Sequence, residues 1–248
     1  MSAQHWPRAI LLDLDGTLVD TAPDLARCVN EMLAELGSPP CDTARVREWV
    51  GDGARRLIAR ALTGRMDGAP ESARLDAALE RFLALYERHT CEHSRVYPGV
   101  PETLRALRED GARLACVTNK PIVHSERLLG ALNLLATFDR VVGGDSVARI
   151  KPDPMPLNHA LAQLETSRDD AVMVGDSLND VRAARAARLP VVCVTYGYNH
   201  GDDIGASAPD ALIDAFTQLP AALRRLRAER RAAGAAGHNR PADPQAYL

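Results

Sequence analysis

Two aspartates lie two residues apart at the end of the first apolar run of the chain. In the stretch ILLDLDGTLVDT, residues 10–21, Asp13 and Asp15 are followed at once by Gly16 and Thr17. Because residues i and i+2 of a strand share a face, both carboxylates are predicted to lie on one side of the strand end. One could then attack a substrate while the other carries the proton. Taken alone, the pair could equally be a turn in which aspartates bond backbone amides.

Further polar residues follow other predicted strands. The run RLACVTN ends in Thr118 and Asn119, Lys151 opens KPDP before a predicted helix, and GDSLND carries Asp176 and Asp180 after the run AVMVGD. The carboxyl ends of parallel strands meet at one edge of a sheet, where ligands bind. We therefore expect these side chains to converge with the aspartate pair.

The charges of this group indicate what it binds. Several carboxylates brought close together cannot all stay ionised without positive charge, because each raises the pKa of the others. Lys151 supplies one positive charge. A hard divalent cation would supply two, and ligands that are all oxygen suit Mg²⁺, which keeps waters and binds substrate phosphate. The pattern predicts a phosphoryl site that positions the group and stabilises its charge.

The elements that must position these residues fall into two regions. A short buried strand precedes Asp13, and a helix is predicted from Thr21, as N-cap, to Gly37, with Leu25, Cys28, Met32, Leu33 and Leu36 on its apolar face. Further helices are predicted at 43–50, after the turn at 51–53 as far as Leu62, and at 71–89. No convincing strand lies among them. After residue 97, strands alternate with helices at 101–110, 121–133, 154–165 and 179–188, and a weaker strand is predicted near 211–215.

This alternation predicts an α/β fold with a Rossmann-like parallel sheet and helices on both faces. The predicted core comprises residues 1–18 and 93–228, the predicted α-helical cap domain comprises 19–92, and the tail at 229–248 is expected to be disordered because it is rich in Ala, Arg, Gly and Pro.

Composition excludes several other classes of protein. The chain has 248 residues and a net charge of -3, which argues against a protein built to bind nucleic acid. Its five cysteines are odd in number and form no CxxC, and Cys116 and Cys193 lie in strand-like apolar runs, so no disulfide framework is expected. The apolar run before Asp13 is too short for a signal peptide or a membrane span. A cytoplasmic protein with no membrane partner is the expectation.

The motifs also carry a family resemblance. In order along about residues 8–228, DLDGT at 13–17, Thr118 in VTNK, Lys151 in KPDP and GDSLND at 175–180 resemble the four motifs of the haloacid dehalogenase (HAD) superfamily. The longer stretches DLDGTLVDTAPDL, YPGV, TNKP, MVGDSLNDVRAARAA and VTYGYNHG resemble its bacterial phosphoglycolate phosphatase family. The resemblance implies Mg²⁺-dependent hydrolysis of 2-phosphoglycolate to glycolate and phosphate, through an aspartyl-phosphate.

The resemblance also implies a role for each motif residue. The catalytic roles fall to Asp13 as nucleophile, Asp15 as general acid and base, Thr118 and Lys151. The substrate-binding residues are Thr118, Asn119 and Lys151, with Lys151 balancing charge. The implied Mg²⁺ ligands are the Asp13 carboxylate, the Asp15 backbone carbonyl and Asp176, with Asp180 binding directly or through water.

Some alternatives stay open at this point. A phosphatase or mutase for another small ester, such as a sugar phosphate, would keep the same motifs. A phosphonate hydrolase would need a lysine in the cap, and 19–92 contains none. A phosphate-accepting receiver domain would lack both Asp15 and the helical insertion, and a binding protein without catalysis would not need the intact motifs.

Other residues have two interpretations each. Lys120, the only other lysine, either faces the phosphate or begins a helix. Arg55 and Arg56 after the turn at 51–53 either bind a substrate carboxylate or are exposed, and exposure is favoured. Asp180 could be the N-cap of its helix, a role compatible with serving the metal shell, and the arginine-rich run at 224–231 is expected to be a solvated helix face. The sequence does not choose between a monomer and a homodimer.

Overall fold

The computed structural model describes residues 6–237, and side chains as far as residue 232. Within that range there are eight β-strands and nine α-helices, joined in part by short 3₁₀ turns. The strands are β1 Ala9–Leu12, β2 Val19–Asp20, β3 Arg95–Val96, β4 Arg113–Val117, β5 Arg140–Val142, β6 Ala171–Gly175, β7 Val191–Val194 and β8 Ala211–Ile213. The helices are α1 Ala22–Glu35, α2 Thr43–Trp49, α3 Ala54–Thr63, α4 Ser72–Arg88, α5 Val100–Glu109, α6 Ile122–Ala131, α7 Met155–Gln163, α8 Leu178–Ala187 and α9 Leu219–Gly237.

Six strands form one parallel sheet in the order β5-β4-β1-β6-β7-β8. The first strand lies in the middle, with Ile10 opposite Leu114 on one side and Val172 on the other. The predicted α/β fold with a parallel sheet is confirmed, and the weakly predicted last strand is present as β8. Since β4, β1 and β6 are adjacent, the residues that follow them are brought together at one edge.

Helices cover both faces of the sheet, as the uniformly apolar strands require. One face packs on α5, α6 and α9 through a cluster that includes Leu12, Cys116, Leu104 and Leu223. The other face packs on α7 and α8 through a cluster that includes Leu11 and Cys193. Cys116 and Cys193 are fully buried in the sheet, as predicted, and all five cysteines are free thiols.

The helices α1–α4 form a block with a hydrophobic core of its own. The predicted inner face of α1 is buried, with the exception of Leu36, which is 43% exposed. That prediction was wrong because α1 ends at Glu35 and Leu36 already belongs to the turn. Thr21 occupies the N-cap position, but its side chain makes no capping hydrogen bond. The hydroxyl of Tyr198 accepts from the amides of Thr21 at 2.8 Å and Ala22 at 3.1 Å instead.

A short antiparallel ribbon joins the two chain segments that connect the sheet to the helical block. In this ribbon Val19 is paired with Val96, and Asp20 with Arg95. The sequence analysis missed β2 and β3 because two residues are too few to show an alternating pattern. Beside the ribbon, the fully buried carboxylate of Asp24 accepts from the amide and the hydroxyl of Ser94, both at 2.7 Å. These hydrogen bonds fix the path of the chain as it returns from α4 to the sheet.

The last helix extends further than the sequence analysis expected. It continues to Gly237, so residues 229–237 are helical although they were assigned to the tail. The helix packs on the sheet through Leu219, Leu223 and Leu226, which supply the ordering energy that composition alone did not reveal. The rest of the predicted tail lies outside the described residues. A search of the described helices found none with the length and hydropathy of a membrane span.

Candidate active site

The sequence-predicted residues converge at the carboxyl edge of the sheet. The backbone ladder continues one residue beyond β1 and β4, because Asp13 N donates to Val174 O and Thr118 N to Val142 O, each at 2.9 Å. Asp13 and Thr118 are therefore held in strand geometry although their strands formally end before them. Both side chains line the same cavity, together with Asp15 and Asn119.

Lys151 is the charged centre of this edge. Its side chain is 2% exposed, and its Nζ lies 2.8 Å from Asp13 Oδ1. The same ammonium donates to Asp180 Oδ1 at 2.7 Å and to the carbonyl of Val117 at 2.8 Å. Burial opposes a charge on Lys151, but the carboxylates of Asp13 and Asp180 outweigh it and raise its pKa. The lysine is thus held as a cation between two acids.

Asn119 positions this lysine. Its Oδ1 accepts from the amide of Lys151 and its Nδ2 donates to the carbonyl of Lys151, each at 2.9 Å. Nδ2 also donates to the carbonyl of Gly51 at 2.8 Å. The predicted phosphoryl contact of Asn119 therefore does not use a free side-chain amide, since both ends of that amide are engaged.

Asp180 lies in the first turn of α8, fully buried. Of the two roles open to Asp180, the N-cap position falls to Ser177, while the Asp180 side chain at the third helical position completes the capping box. Asp180 Oδ2 accepts from the Ser177 hydroxyl at 2.7 Å and from the Ser177 amide at 3.1 Å. With Oδ1 on Lys151, both of its oxygens are engaged.

Asp176 is held from two distant parts of the chain. Its Oδ1 accepts from the hydroxyl of Thr17, and its Oδ2 accepts from the amide of Tyr198, each at 2.7 Å. The backbone of Gly16 passes so close that a β-carbon there would lie 2.3 Å from Asp176 Oδ2, and its φ of +86° also favours glycine. Thr17 and Tyr198 were missed as site residues, although both lie in motif stretches that carry the family resemblance.

Because these acids are buried close together, the pKa values of Asp13 and Asp176 are raised. Burial raises the pKa of Asp13 to about 7, against the lowering effect of Lys151. Burial, and then the charges of Asp13 and Asp180, raise the pKa of Asp176 well above its ordinary value. The single positive charge of Lys151 therefore does not balance the negative charge of these buried carboxylates.

The same cluster suits a hard metal ion. Asp13, Asp176 and Asp180 each offer a carboxylate oxygen, and these oxygens lie within 4.8 Å of one another. Three carboxylates beside one ammonium leave an excess of negative charge that a divalent cation would neutralise, and a donor set of oxygens alone fits Mg²⁺. The residues present therefore fit the predicted ion.

Asp15 has a cation of its own. Lys120 Nζ lies 3.1 Å from both carboxylate oxygens of Asp15 and 4.6 Å from the centre of the Tyr86 ring. The ammonium is nearly buried, and the Asp15 charge is the main factor that raises its pKa against the opposing effect of burial. Of the two interpretations of Lys120, the structure supports a place in the site rather than at an exposed helix start.

A cavity of about 50 Å³ extends from the aspartates between the sheet edge and the helical block. Its far wall is mostly apolar, from Leu25, Leu57, Phe82 and Leu83. Neither Arg55 nor Arg56 lines it: these donate to Asp76 and to the carbonyl of Gly68. Arg55 is exposed, as favoured, whereas Arg56 is half-buried.

The turn at 51–53 seats the helical block on the sheet edge. Besides the bond from Asn119 to Gly51, Asn179 Nδ2 donates to Asp52 Oδ1 at 2.7 Å. Arg60, 5% exposed, donates to the other oxygen of Asp52 at 2.5 Å. Asn119, which hydrogen-bonds the backbone of Lys151, thus also contacts the helical block.

The fold and this site define a class of hydrolase. The chain belongs to the haloacid dehalogenase-like hydrolases, whose family model matches residues 10–194. It is 46% identical over 213 residues to the phosphoglycolate phosphatase of Nitrosococcus oceani, covering 86% of this chain and 95% of that one. It is 48% identical over 212 residues to the enzyme of the same name from Nitrosospira multiformis, covering 84% and 93%.

Solved structures agree. A predicted phosphoglycolate phosphatase from Haemophilus somnus superposes with a TM-score of 0.79 at 35% identity, covering 86% of this chain and 96% of that one. CbbY of Rhodobacter sphaeroides, solved in complex with phosphate, gives a TM-score of 0.71 at 32% identity, covering 88% and 99%.

Proposed function

We propose that this protein is a Mg²⁺-dependent phosphatase that hydrolyses 2-phosphoglycolate to glycolate and inorganic phosphate. The observation that carries the proposal is the convergence of Asp13, Asp15, Asp176 and Lys151 at one sheet edge, beside a small cavity. The names of the relatives that are 40–48% identical over most of this chain support the substrate.

Asp13 acts as the nucleophile. One of its carboxylate oxygens attacks phosphorus and forms an aspartyl-phosphate, while the bond to the ester oxygen breaks. Lys151, 2.8 Å from Oδ1, holds the carboxylate in place and favours its ionised form. The lysine also offsets the charge brought by the phosphoryl group, although its three N–H donors already face Asp13, Asp180 and the carbonyl of Val117.

Asp15 carries the proton in both halves of the reaction. It donates a proton to the departing glycolate oxygen and later takes one from the water that attacks the aspartyl-phosphate. Lys120 sets the position of the Asp15 carboxylate through its two contacts of 3.1 Å. The hydroxyl of Thr118, which lines the cavity, binds a phosphoryl oxygen.

The metal ligands are the Asp13 carboxylate, the Asp15 backbone carbonyl and Asp176. Mg²⁺, when bound there, neutralises phosphoryl charge that the side chains cannot. Thr17 and the amide of Tyr198 fix the Asp176 carboxylate. Asp180 offers a further carboxylate oxygen that would bind the metal directly or through water, and it also holds Lys151 and the Ser177 turn.

The helical block α1–α4 serves as the cap of the site, and residues 1–18 and 93–228 serve as the core. Its turn at 51–53 contacts Asn119 and Asn179 of the core, so the cavity is closed on that side. Closure would exclude water while the phosphoryl group moves to Asp13. Equal solvent protection of the site with and without a phosphate analogue would contradict this role.

A phosphatase or mutase for another small ester is the second candidate. The motif residues would be the same, so the choice between the two functions rests on contacts from the helical block and the apolar cavity wall. A phosphonate hydrolase is disfavoured because the only lysines, Lys120 and Lys151, both lie outside the cap.

The test is phosphate release from phosphoglycolate and from a panel of sugar phosphates, with Mg²⁺ and with a chelator. Rapid release from another ester but none from phosphoglycolate would overturn the substrate and leave the mechanism. Asp13→Asn is expected to abolish turnover, with the exposed Asp110→Asn as the matched control. Near-normal turnover by Asp13→Asn would overturn the assignment of the nucleophile.

A further inference from the structure

Two polar atoms in the cavity wall lack a hydrogen-bond partner. Within the described residues, neither Tyr86 Oη nor His124 Nδ1 makes a hydrogen bond of ordinary geometry, although solvent does not reach either atom. The ammonium of Lys120 is the polar group that acts on the Tyr86 hydroxyl. The residues as a whole are 1% and 9% exposed, and both line the cavity that contains Asp13 and Asp15. Because buried polar groups are nearly always satisfied, such a pair beside a binding cavity indicates that a ligand accepts from it when the site is filled.

The two side chains face the same part of the cavity. Their rings meet edge to face with centroids 5.5 Å apart, although Tyr86 belongs to α4 of the helical block and His124 to α6 of the core. Lys120 Nζ lies 4.6 Å from the centre of the Tyr86 ring and pairs with Asp15 at its other side. A continuous series of contacts therefore leads from the reacting end of the site to this pair.

The surroundings favour a short anion that accepts hydrogen bonds. Much of the far wall is apolar, and Lys120 is the charged group of the lining that contacts the Tyr86 ring. The Tyr86 hydroxyl is a donor, and neutral His124 with its hydrogen on Nδ1 is another. Burial, and then the charge of Lys120, lower the pKa of His124, which keeps it neutral near pH 7. The ammonium of Lys120 adds positive potential.

We infer that Tyr86 and His124 form a subsite that donates hydrogen bonds to the carboxylate of the substrate and selects phosphoglycolate over esters that lack it. The inference rests on the proposed function. In phosphoglycolate only an ester oxygen and a methylene separate the phosphorus from the carboxylate, so both groups would lie within the one cavity that contains Asp13, Tyr86 and His124. Because the two donors come from the helical block and from the core, the subsite is complete only while the block is seated.

The experiment compares two substrates on each enzyme preparation. The probes are phosphoglycolate and 2-hydroxyethyl phosphate, in which a hydroxymethyl group replaces the carboxylate. Tyr86→Phe and His124→Phe remove one donor each and keep a ring in place. Each is expected to lower the ratio of kcat/KM for phosphoglycolate to that for 2-hydroxyethyl phosphate by roughly 10- to 100-fold, as for a lost hydrogen bond to a charged group.

Two further variants sharpen the result. Tyr97→Phe is the matched control, because Tyr97 Oη is also buried and unpartnered but does not line the cavity, and its ratio should equal that of the wild type. His124→Asn keeps an N–H near the position of Nδ1 and should restore much of the ratio. A ratio on one preparation does not depend on how much of the variant has folded.

The outcomes separate this inference from the proposed function. If Tyr86→Phe and His124→Phe slow both substrates equally, or leave the ratio unchanged, a bound water rather than the substrate satisfies the pair and the inference is overturned. If the wild type itself releases no phosphate from phosphoglycolate but hydrolyses other esters, the proposed function fails, and this subsite assignment fails with it.

Discussion

Replacing Lys151 by methionine tests the charge balance on which the site depends. Methionine fills a similar volume but leaves Asp13 and Asp180 buried without their shared cation, which lies 2.8 Å and 2.7 Å from them. Removing one partner of a buried ion pair costs about 3–5 kcal/mol, because the remaining charge is left uncompensated. We expect Lys151→Met to lower the free energy of unfolding by about that amount at pH 8.

The loss should depend on pH in a defined direction. The pKa of Asp13 is about 7 in the folded protein against an ordinary value of 3.8, so stability falls as pH rises through this window. Lys151 lowers that folded pKa, so its removal raises the value further and extends the window upward. Each added unit contributes about 1.4 kcal/mol to the deficit at high pH. At pH 5, where Asp13 is protonated in both proteins, the deficit should be smaller.

The assay is urea unfolding with a chelator present, at pH 5 and pH 8, for Lys151→Met, Asp180→Asn and the double variant. The single effects should not add, because both variants disrupt the same ion pair, and a coupling of about 1–3 kcal/mol is expected. A deficit below about 1 kcal/mol at pH 8, or one that is no larger than at pH 5, would refute the charge balance described above.

Three further predictions concern the surroundings of the site. Gly16→Ala should lower the free energy of unfolding, measured by thermal unfolding, by about 2 kcal/mol more than Gly111→Ala does. Gly111 is the control because its φ is also positive but a β-carbon there would meet open space. Equal losses would exclude a clash with Asp176. Mg²⁺ should raise the unfolding temperature more at pH 8 than at pH 5, because protons compete with the ion for Asp13 and Asp176, whose pKa values are raised. If scanning fluorimetry shows no pH dependence of this shift, a carboxylate metal site is contradicted. Asp24→Asn should lower the free energy of unfolding by about 2 kcal/mol in urea, since its N–H₂ would face a donor of His93 or Ser94 whichever way the amide turns. An unchanged midpoint would show that these hydrogen bonds are unimportant.

Local patterns predicted the elements well and their ends less well. The alternation of apolar runs and helical periods sufficed for the parallel sheet, because strands buried on both faces read as unbroken apolar runs. Leu36 was misassigned because periodicity does not reveal where a helix stops facing the core. Thr21 was expected to cap α1 because cap preferences are local, whereas the hydroxyl that meets the α1 amides comes from Tyr198, far along the chain.

The sequence by itself determined which residues stand at the sheet edge. The spacing of Asp13 and Asp15, and the positions of Thr118, Lys151 and Asp176 after apolar runs, follow from the two-residue period of a strand and the common direction of parallel strands. That is why the phosphoryl chemistry of the site could be predicted without coordinates.

Only the tertiary structure decided which partner each of these groups has. Three contacts join segments that are far apart in sequence. Lys120 pairs with Asp15, Asn119 hydrogen-bonds the backbone of Lys151, and the Tyr86 ring packs against His124. Such contacts are set by the order of the strands and by the packing of the helical block on the sheet edge, and no local period encodes either. The motif in residues 10–21 therefore places the paired aspartates, whereas the contact of Tyr86 in α4 with His124 in α6 forms the surface that we propose selects the substrate.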